Sequence, residues 1–183
     1  YQNRGVYRGH IDVYATNRKM GLMQRIADIK QQLSAIPDPE IPVITIEELG
    51  VLRDVSYEEE KLVVTITPTY SGCPAMDRFQ ADIKEELGKM NIEHFEIKMQ
   101  YDPPWTTDWI GEEAKEKLRV YGIAPPAFKT SDKNAILGAP KEVDCPHCKA
   151  KETELVSPFG STACKAMYRC TSCLEPFEYF KCL

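Results

Sequence analysis

No stretch of this chain approaches the ~20 consecutive apolar residues that cross a bilayer. Its first residues lack the basic, then apolar, then small-residue pattern of a secretory signal. Positive charge is not in excess: Lys and Arg number 23 against 28 Asp and Glu, a net charge of −5. That removes the electrostatic footprint expected of a nucleic-acid binder. Histidine is scarce, with 3 in 183 residues. They are scattered, so no Ser-His-Asp set can be assembled and no His-Glu-x-x-His helix exists. A phosphate-binding glycine loop and a Gly-x-Ser-x-Gly elbow are also missing. The chain therefore shows no acid–base machinery, and independent catalysis is not expected of it. What remains is 43% apolar and 28% charged, enough for one medium domain with a true core and one small one.

Cysteine, by contrast, is plentiful. There are 7, an odd number, which fits a reducing cytoplasm better than a disulfide framework. Four of them form Cys145-Pro-His-Cys148 and Cys170-Thr-Ser-Cys173, with the 21 residues Lys149 to Arg169 between the pairs. Two Cys-x-x-Cys turns at this spacing can bring four thiolates onto one tetrahedral ion, the arrangement of a zinc ribbon. Two buried or disulfide-bonded pairs are the alternative. Iron and iron–sulfur centres also use four cysteines, so spacing alone leaves the metal open between zinc and iron.

Residues 1–22 have no sustained period and read as a peripheral segment, with Met20 and Met23 as plausible native starts. Residues 23–124 carry the pattern α-β-β-α-β-α. Leu22, Ile26, Ile29, Leu33 and Ile36 recur at helical spacing up to Pro37-Asp38-Pro39, which stops the helix. Thr45 is expected to cap a second short helical turn that Gly50 ends. Val51–Tyr57 and Lys61–Pro68 read as a hairpin. A helix follows from about Pro74 to Met90, with Met76, Phe79, Ile83 and Leu87 inward. Phe95–Tyr101 is a third strand, and Thr107 or Asp108 caps a last helix to about Arg119. The fold class is α+β: a small three-stranded sheet with packed helices, followed by a carboxy-terminal zinc-ribbon β module. Residues 125–142 read as a linker. Residues 143–183 form the ribbon, too small to fold well without its metal.

Beyond the knuckles, Cys73 draws attention. It lies in Thr67-Pro-Thr-Tyr-Ser-Gly-Cys73-Pro74, at a strand-to-helix junction. Unpaired N–H groups and the helix dipole favour thiolate there. Gly72 permits a tight turn, and Thr67, Thr69 and Ser71 bring hydroxyls onto the same loop. A small buried thiol at a helix start is the blander reading. Asp38 and Glu40 form a carboxylate pair in a loop stiffened by proline, available to a hard metal or to proton transfer beside Cys73, or else simply turn residues. Trp105 and Trp109 are either interface anchors or a satellite apolar cluster. Cys164 and Cys182 are surplus to the knuckles. They are ribbon-core thiols, substitutes for a knuckle ligand, partners of a transient pair, or ligands of a second metal species. His147 and His94 carry no role.

Several of these segments resemble known proteins. Asp38-Pro-Glu-Ile-Pro42, Leu49-Gly-Val-Leu-Arg-Asp-Val55 and Thr67-Pro-Thr-Tyr-Ser-Gly-Cys-Pro74 are similar to the domain of the iron–sulfur cluster assembly factors of the SufT and cytosolic-targeting type. Pro103-Pro-Trp-Thr-Thr-Asp-Trp-Ile110, Tyr121-Gly-Ile-Ala-Pro-Pro126 and Phe159-Gly-Ser-Thr-Ala-Cys-Lys-Ala-Met-Tyr-Arg-Cys170 are narrower. They resemble the PaaD family, accessory proteins of the phenylacetyl-CoA epoxidase, a bacterial multicomponent monooxygenase. The resemblance spans roughly residues 23–183. It implies an assembly domain whose functional, cluster-transferring thiol is Cys73, with Asp38, Glu40 and Thr67 at the neighbouring family positions. It implies a cytoplasmic accessory factor of aerobic phenylacetate degradation that matures or inserts the iron or iron–sulfur centres of the epoxidase. A structural or regulatory subunit of that complex is the alternative, and an enzyme with Cys73 as nucleophile a third. Implied cofactors are structural zinc on Cys145, Cys148, Cys170 and Cys173, and a transient iron or iron–sulfur cluster on Cys73. Implied partners are the epoxidase's oxygenase, with its carboxylate-bridged di-iron centre, or its reductase, with flavin and a cluster, together with the iron–sulfur assembly machinery. No nucleic acid or membrane is implied.

Overall fold

The computed structural model describes residues 23–70, 72–126 and 143–181. The expectations for the first segment, for Ser71, for most of the linker and for Cys182 fall outside these residues. Helix α1 covers residues 23–34. Ile29, Leu33 and Ile36 are buried along its apolar stripe, and the prolines at 37 and 39 end it by disfavouring helix at the residues before them. The chain then turns sharply. Thr45 and Glu48 form a reciprocal capping box: the Glu48 N–H donates to Thr45 Oγ1 at 3.3 Å, and the Thr45 N–H to Glu48 Oε2 at 2.9 Å. The capped segment is a run of turns rather than the helical turn expected there. Gly50, at φ +71, takes the left-handed conformation that releases the chain into the sheet.

Strands β1 (Leu52–Glu58) and β2 (Lys61–Ile66) pair antiparallel. Glu59, at φ +58, makes the turn between them. Helix α2 (Ala75–Lys89) buries Ala75, Met76, Phe79, Ile83 and Leu87. Strand β3 (Phe95–Met99) returns parallel to β2, in register from Leu62↔Phe95 to Ile66↔Met99. Parallel neighbours cannot be joined by a tight turn, so α2 is the crossover that the pairing requires. The order β1-β2-β3 puts β2 in the centre. Its Leu62, Val63, Val64 and Ile66 are all buried, as a strand covered on both faces demands.

The last helix differs from expectation. Thr106, not Thr107 or Asp108, caps the segment, and its Oγ1 accepts the Asp108 N–H at 3.1 Å. Only a short 3-10 turn, Thr107–Trp109, forms before the chain extends again at Ile110. That break inserts the Ile110 side chain into the core. Helix α3 (Glu112–Tyr121) then starts afresh from Gly111 and ends at Gly122, φ +97. Both tryptophans pack on the Leu49–Gly50 turn. Trp105 is buried and its Nε1 donates to the Leu49 carbonyl at 2.7 Å. A Cβ at position 50 would lie 3.0 Å from Trp109 Cβ, and Arg53 sits 3.9 Å above the Trp109 ring.

The second sheet contains β4 (Ile123–Ala124), β5 (Thr153–Ser157), β6 (Lys165–Cys170) and β7 (Pro176–Phe180) in the order β4-β7-β6-β5. Strand β4 follows directly on α3 and pairs parallel to β7. The first unit thus lends an edge strand to the second. A separate small core forms here around Tyr168, whose ring lies 5.9 Å from Phe177 and 5.7 Å from Tyr179. Phe180 does not join it. Its side chain is buried in the larger core, 6.4 Å from the Trp105 ring. Among the described residues, no helix is long and apolar enough to cross a membrane.

Phe180 therefore docks the two sheets together. Phe180→Ala should lower the unfolding free energy by about 3 kcal/mol or more, as large-to-small aromatic truncations in cores do. Phe159→Ala, at a residue 63% exposed, should change it by no more than about 0.5 kcal/mol. Urea denaturation of the two variants side by side checks this, and equal losses would show that Phe180 is not a core residue.

Candidate metal centre and thiol site

Two turns build the first site. In each, a residue after the knuckle takes positive φ, Lys149 at +63 and Leu174 at +67, and the backbone folds back on the sulfurs. The Lys149 N–H donates to the Cys145 carbonyl at 2.9 Å and the Cys145 N–H to that of Ala150 at 2.9 Å. The Cys173 N–H points at Cys170 Sγ from 3.5 Å. That N–H, helped by the one of Ser172, holds the Cys170 thiol below its ordinary range. The sulfurs of Cys145, Cys148, Cys170 and Cys173 all lie within 4.8 Å of one another, with Cys145–Cys173 at 3.8 Å and Cys148–Cys170 at 3.5 Å. A tetrahedral ion with bonds of about 2.3 Å needs sulfurs about 3.8 Å apart. Donor set and spacing thus fit one soft divalent metal ion. His147 is exposed and outside the set.

The second site lies where β2 runs into α2. Cys73 is half-buried and unbonded to any cysteine. Its N–H donates to the Tyr70 carbonyl at 3.2 Å, and its carbonyl accepts the Met76 N–H at 3.3 Å. Pro74, with no N–H to lose, stands at the helix cap. Tyr70 titrates high, at about 12, first because it is desolvated and then because Cys73, Cys164 and Glu40 would place negative charge beside it. Thr67 lies at the start of the same loop. Its Oγ1 is buried and has no hydrogen-bond partner among the described residues, an arrangement that native structures rarely tolerate without cause.

The proline-stiffened loop supplies the carboxylates. Asp38 is buried, and its Oδ1 accepts the N–H groups of Glu40 at 2.8 Å and Ile41 at 2.7 Å. Desolvation nevertheless raises its pKa, against the pull of those two N–H groups and of the Lys165 ammonium. Glu40 is exposed, and its charge is among the lesser causes that raise the pKa values of Tyr70 and Cys164. Of the residues singled out in the sequence, Thr67 and Cys73 share the loop between β2 and α2, and Asp38 and Glu40 share the proline-stiffened loop.

Sequence reasoning passed over Tyr70, which was only part of a motif, and Lys165, which is buried in the second sheet, and it left Cys164 with several open roles. Cys164 stands outside the four-sulfur group and within electrostatic reach of Cys73, Glu40 and Lys165. A lysine directly following a surplus cysteine was the available signal, but nothing in a sequence shows that such a lysine is buried.

Comparison with known proteins finds two families along the chain. Residues 26–94 match the family described as iron-sulfur cluster assembly protein, and residues 129–181 match the PaaD zinc beta ribbon domain. Over 169 residues the chain is 48% identical to an Escherichia coli protein named as a subunit of the "Putative 1,2-phenylacetyl-CoA epoxidase", covering 88% of this chain and 100% of that one. It is 32% identical to an Fe-S protein maturation auxiliary factor of Porphyromonas gingivalis, covering 52% of this chain and 92% of that protein. A crystal structure of a domain of unknown function, DUF59, from Bacillus anthracis superposes with a TM-score of 0.50 at 28% identity, covering 55% of this chain and 96% of that one. The chain belongs to the PaaD family.

The buried Asp38 generates a prediction. Its folded pKa lies above its unfolded one, so the folded state binds the proton more tightly. Stability therefore falls as pH rises from the unfolded to the folded value, and the penalty persists at neutral pH. Asn at this position keeps an oxygen to accept the two N–H groups but carries no charge. Asp38→Asn should leave the protein as stable or more stable at pH 7 and flatten the acid side of its stability profile. Melting temperatures between about pH 4 and 7 test this, because a large loss at pH 7 would mean that the charge itself holds the loop.

Proposed function

We propose that this PaaD-family chain is a maturation factor acting on the iron or iron–sulfur centres of a phenylacetyl-CoA epoxidase. One observation carries the reading: a free, half-buried thiol, Cys73, at the head of α2, in the part of the chain that matches iron–sulfur assembly proteins. Tyr70 and Thr67 share its loop, and the resemblance sets Asp38 and Glu40 beside it. A thiol with hydroxyl and carboxylate neighbours would offer soft and hard donors together, a set suited to iron passing through rather than to turnover of an acyl thioester. The second reading, a structural or regulatory subunit of the epoxidase, is favoured by the name of the Escherichia coli relative. In both, the partners are the oxygenase or reductase components. In the first, the iron–sulfur assembly machinery also takes part, and the reducing cytoplasm is where such thiols survive.

The four-sulfur site is read as structural zinc. Thiolates at this spacing hold zinc in a closed site, and small metal modules draw their folding free energy from it. One zinc per chain is expected. Cys170→Ser should lower zinc content sharply and destroy the β5–β7 fold, as read by elemental analysis and near-ultraviolet circular dichroism. A variant that keeps its full zinc would remove Cys170 from the ligand set.

Cells whose sole copy carries Cys73→Ser should make epoxidase components in normal amount but with low iron content, and should grow poorly on phenylacetate. Epoxidase reconstituted chemically with its metals should then work without the chain. If fully metallated epoxidase still requires the chain for turnover, the subunit reading replaces the maturation reading.

A further inference from the structure

The second sheet has two faces, and they belong to different cores. Side chains alternate across a strand, so every second residue points to the same side. Ala124, Ala166, Tyr168, Cys170, Phe177 and Tyr179 pack together on one side. The registers Ala124↔Tyr179, Ala166↔Tyr179 and Tyr168↔Phe177 line them up across three strands. Cys145 and Cys170, two of the four clustered cysteines, are members of this core. The other side carries Ile123 and Phe180, both buried in the core of the first unit. Lys165 and Glu178, the register partners of Phe180 and Ile123, share that side and pair at 3.0 Å.

The metal-side core is small. Without an ion it would rest on a few aromatic rings and the two ladders of β6, and modules of this kind fold on their metal. The docking side depends on the same ladders. Phe180 and Ile123 reach the first core while β7 is held between β4 and β6. Phe180 meets Trp105 with ring centroids 6.4 Å apart, and Trp105 Nε1 donates to the Leu49 carbonyl at 2.7 Å. Just beyond, the Gly50 N–H donates to the Glu47 carbonyl and the Val51 N–H to that of Ile46, each at 2.8 Å. The Val51 carbonyl accepts the Thr67 N–H at 2.9 Å, at the start of the loop that carries Cys73. A continuous line of packed rings and hydrogen bonds thus joins the cysteine knuckles to that loop across the seam between the units.

We infer that the four-sulfur centre is a latch on the first unit. With its ion bound, the second sheet keeps Phe180 and Ile123 docked, and the Leu49–Val51 turn and Thr67 stay seated. With the ion removed, the sheet lets them go. The inference rests on the four-sulfur site holding a metal and adds what that metal controls. An ion that binds the ordered ribbon and not the melted one stabilises whatever is built on that order, and here the order includes an aromatic ring in another core. The interface has little else to hold it. Among the described residues, Ile123 and Phe180 are the apolar side chains that the second sheet buries in the first core, and small interfaces within a chain are mobile by default. The coupling is reciprocal: loosening the first unit weakens the hold on the ion by the same factor.

The chain's two tryptophans, Trp105 and Trp109, both stand on the Leu49–Gly50 turn, so their emission reads this seam. Zinc-loaded full chain is stripped with excess chelator under anaerobic, reducing conditions, which keep the thiols from pairing, and zinc is then returned. Stripping should shift the emission to longer wavelength and speed amide exchange at Gly50, Val51 and Thr67 by at least about tenfold. Returning zinc should reverse both. Phe180→Ala leaves the metal side untouched. It should keep its zinc, show the shifted emission with zinc bound, and respond no further to stripping. If the wild type loses its zinc with emission and exchange unchanged, the latch is wrong and the zinc reading stands. If stripping shifts the emission of Phe180→Ala as much as that of the wild type, the coupling does not run through Phe180 and the latch is wrong. Should Phe180→Ala fail to fold, the wild-type comparison decides alone. If the chain holds no zinc and takes none up, the zinc reading falls and the latch with it.

Discussion

The seating of one aromatic ring governs how this molecule is arranged. Phe180 ends the last strand of the second sheet, yet its side chain belongs to the core of the first, against Trp105. Trp105 is itself fixed by its bond to the Leu49 carbonyl. The turn at Leu49 and Gly50 opens into β1, and its capping partner Glu48 bonds to Lys117 on α3. A chain of contacts thus runs from the ribbon through the aromatic pair to the helices and the proline loop. Two small β modules joined only by a linker would be free to reorient, since interfaces within a chain are by default mobile. Here a buried ring and a shared strand, β4, paired with the residues just before that ring, remove that freedom.

Polar groups along the same seam are kept at a cost in stability. Asp38 is buried with a raised pKa although an amide would satisfy the same two N–H groups. Thr67 carries an unsatisfied buried hydroxyl, a feature worth about 1–3 kcal/mol of destabilisation. Lys165 needs Glu178 to be buried at all. Such features persist where something other than packing decides the residue, because packing alone would have replaced them with apolar ones.

Where periodicity was strong, the sequence was sufficient. The inward stripe of α2 comes straight from spacing, and the knuckles from cysteine arithmetic. What escaped it was long-range. Parallel pairing of β2 with β3 depends on the crossover, which no local pattern announces. The break at Ile110 arises because that side chain must reach the core, overriding helix propensity from Thr107 onward. Cys73 stood out by its place before Pro74, and Glu40 and Asp38 by their prolines. That Lys165 would be buried against Glu178 could not be seen, since it depends on the pairing of β6 with β7.

Strand β6 has a further meaning. It carries Cys170 at its far end and follows Cys164 at its near one, so the two sulfurs stand roughly 20 Å apart along an extended strand rising about 3.3 Å per residue. β6 is the inner strand between β5 and β7, and neither end can be pulled toward the other without unzipping both ladders. A ribbon so rich in thiols would otherwise be prone to coordination isomers, with one sulfur exchanged for another around the ion. The strand acts as a spacer that forbids the swap, so Cys164 and the four-sulfur site can share 39 residues, 143–181, without competing.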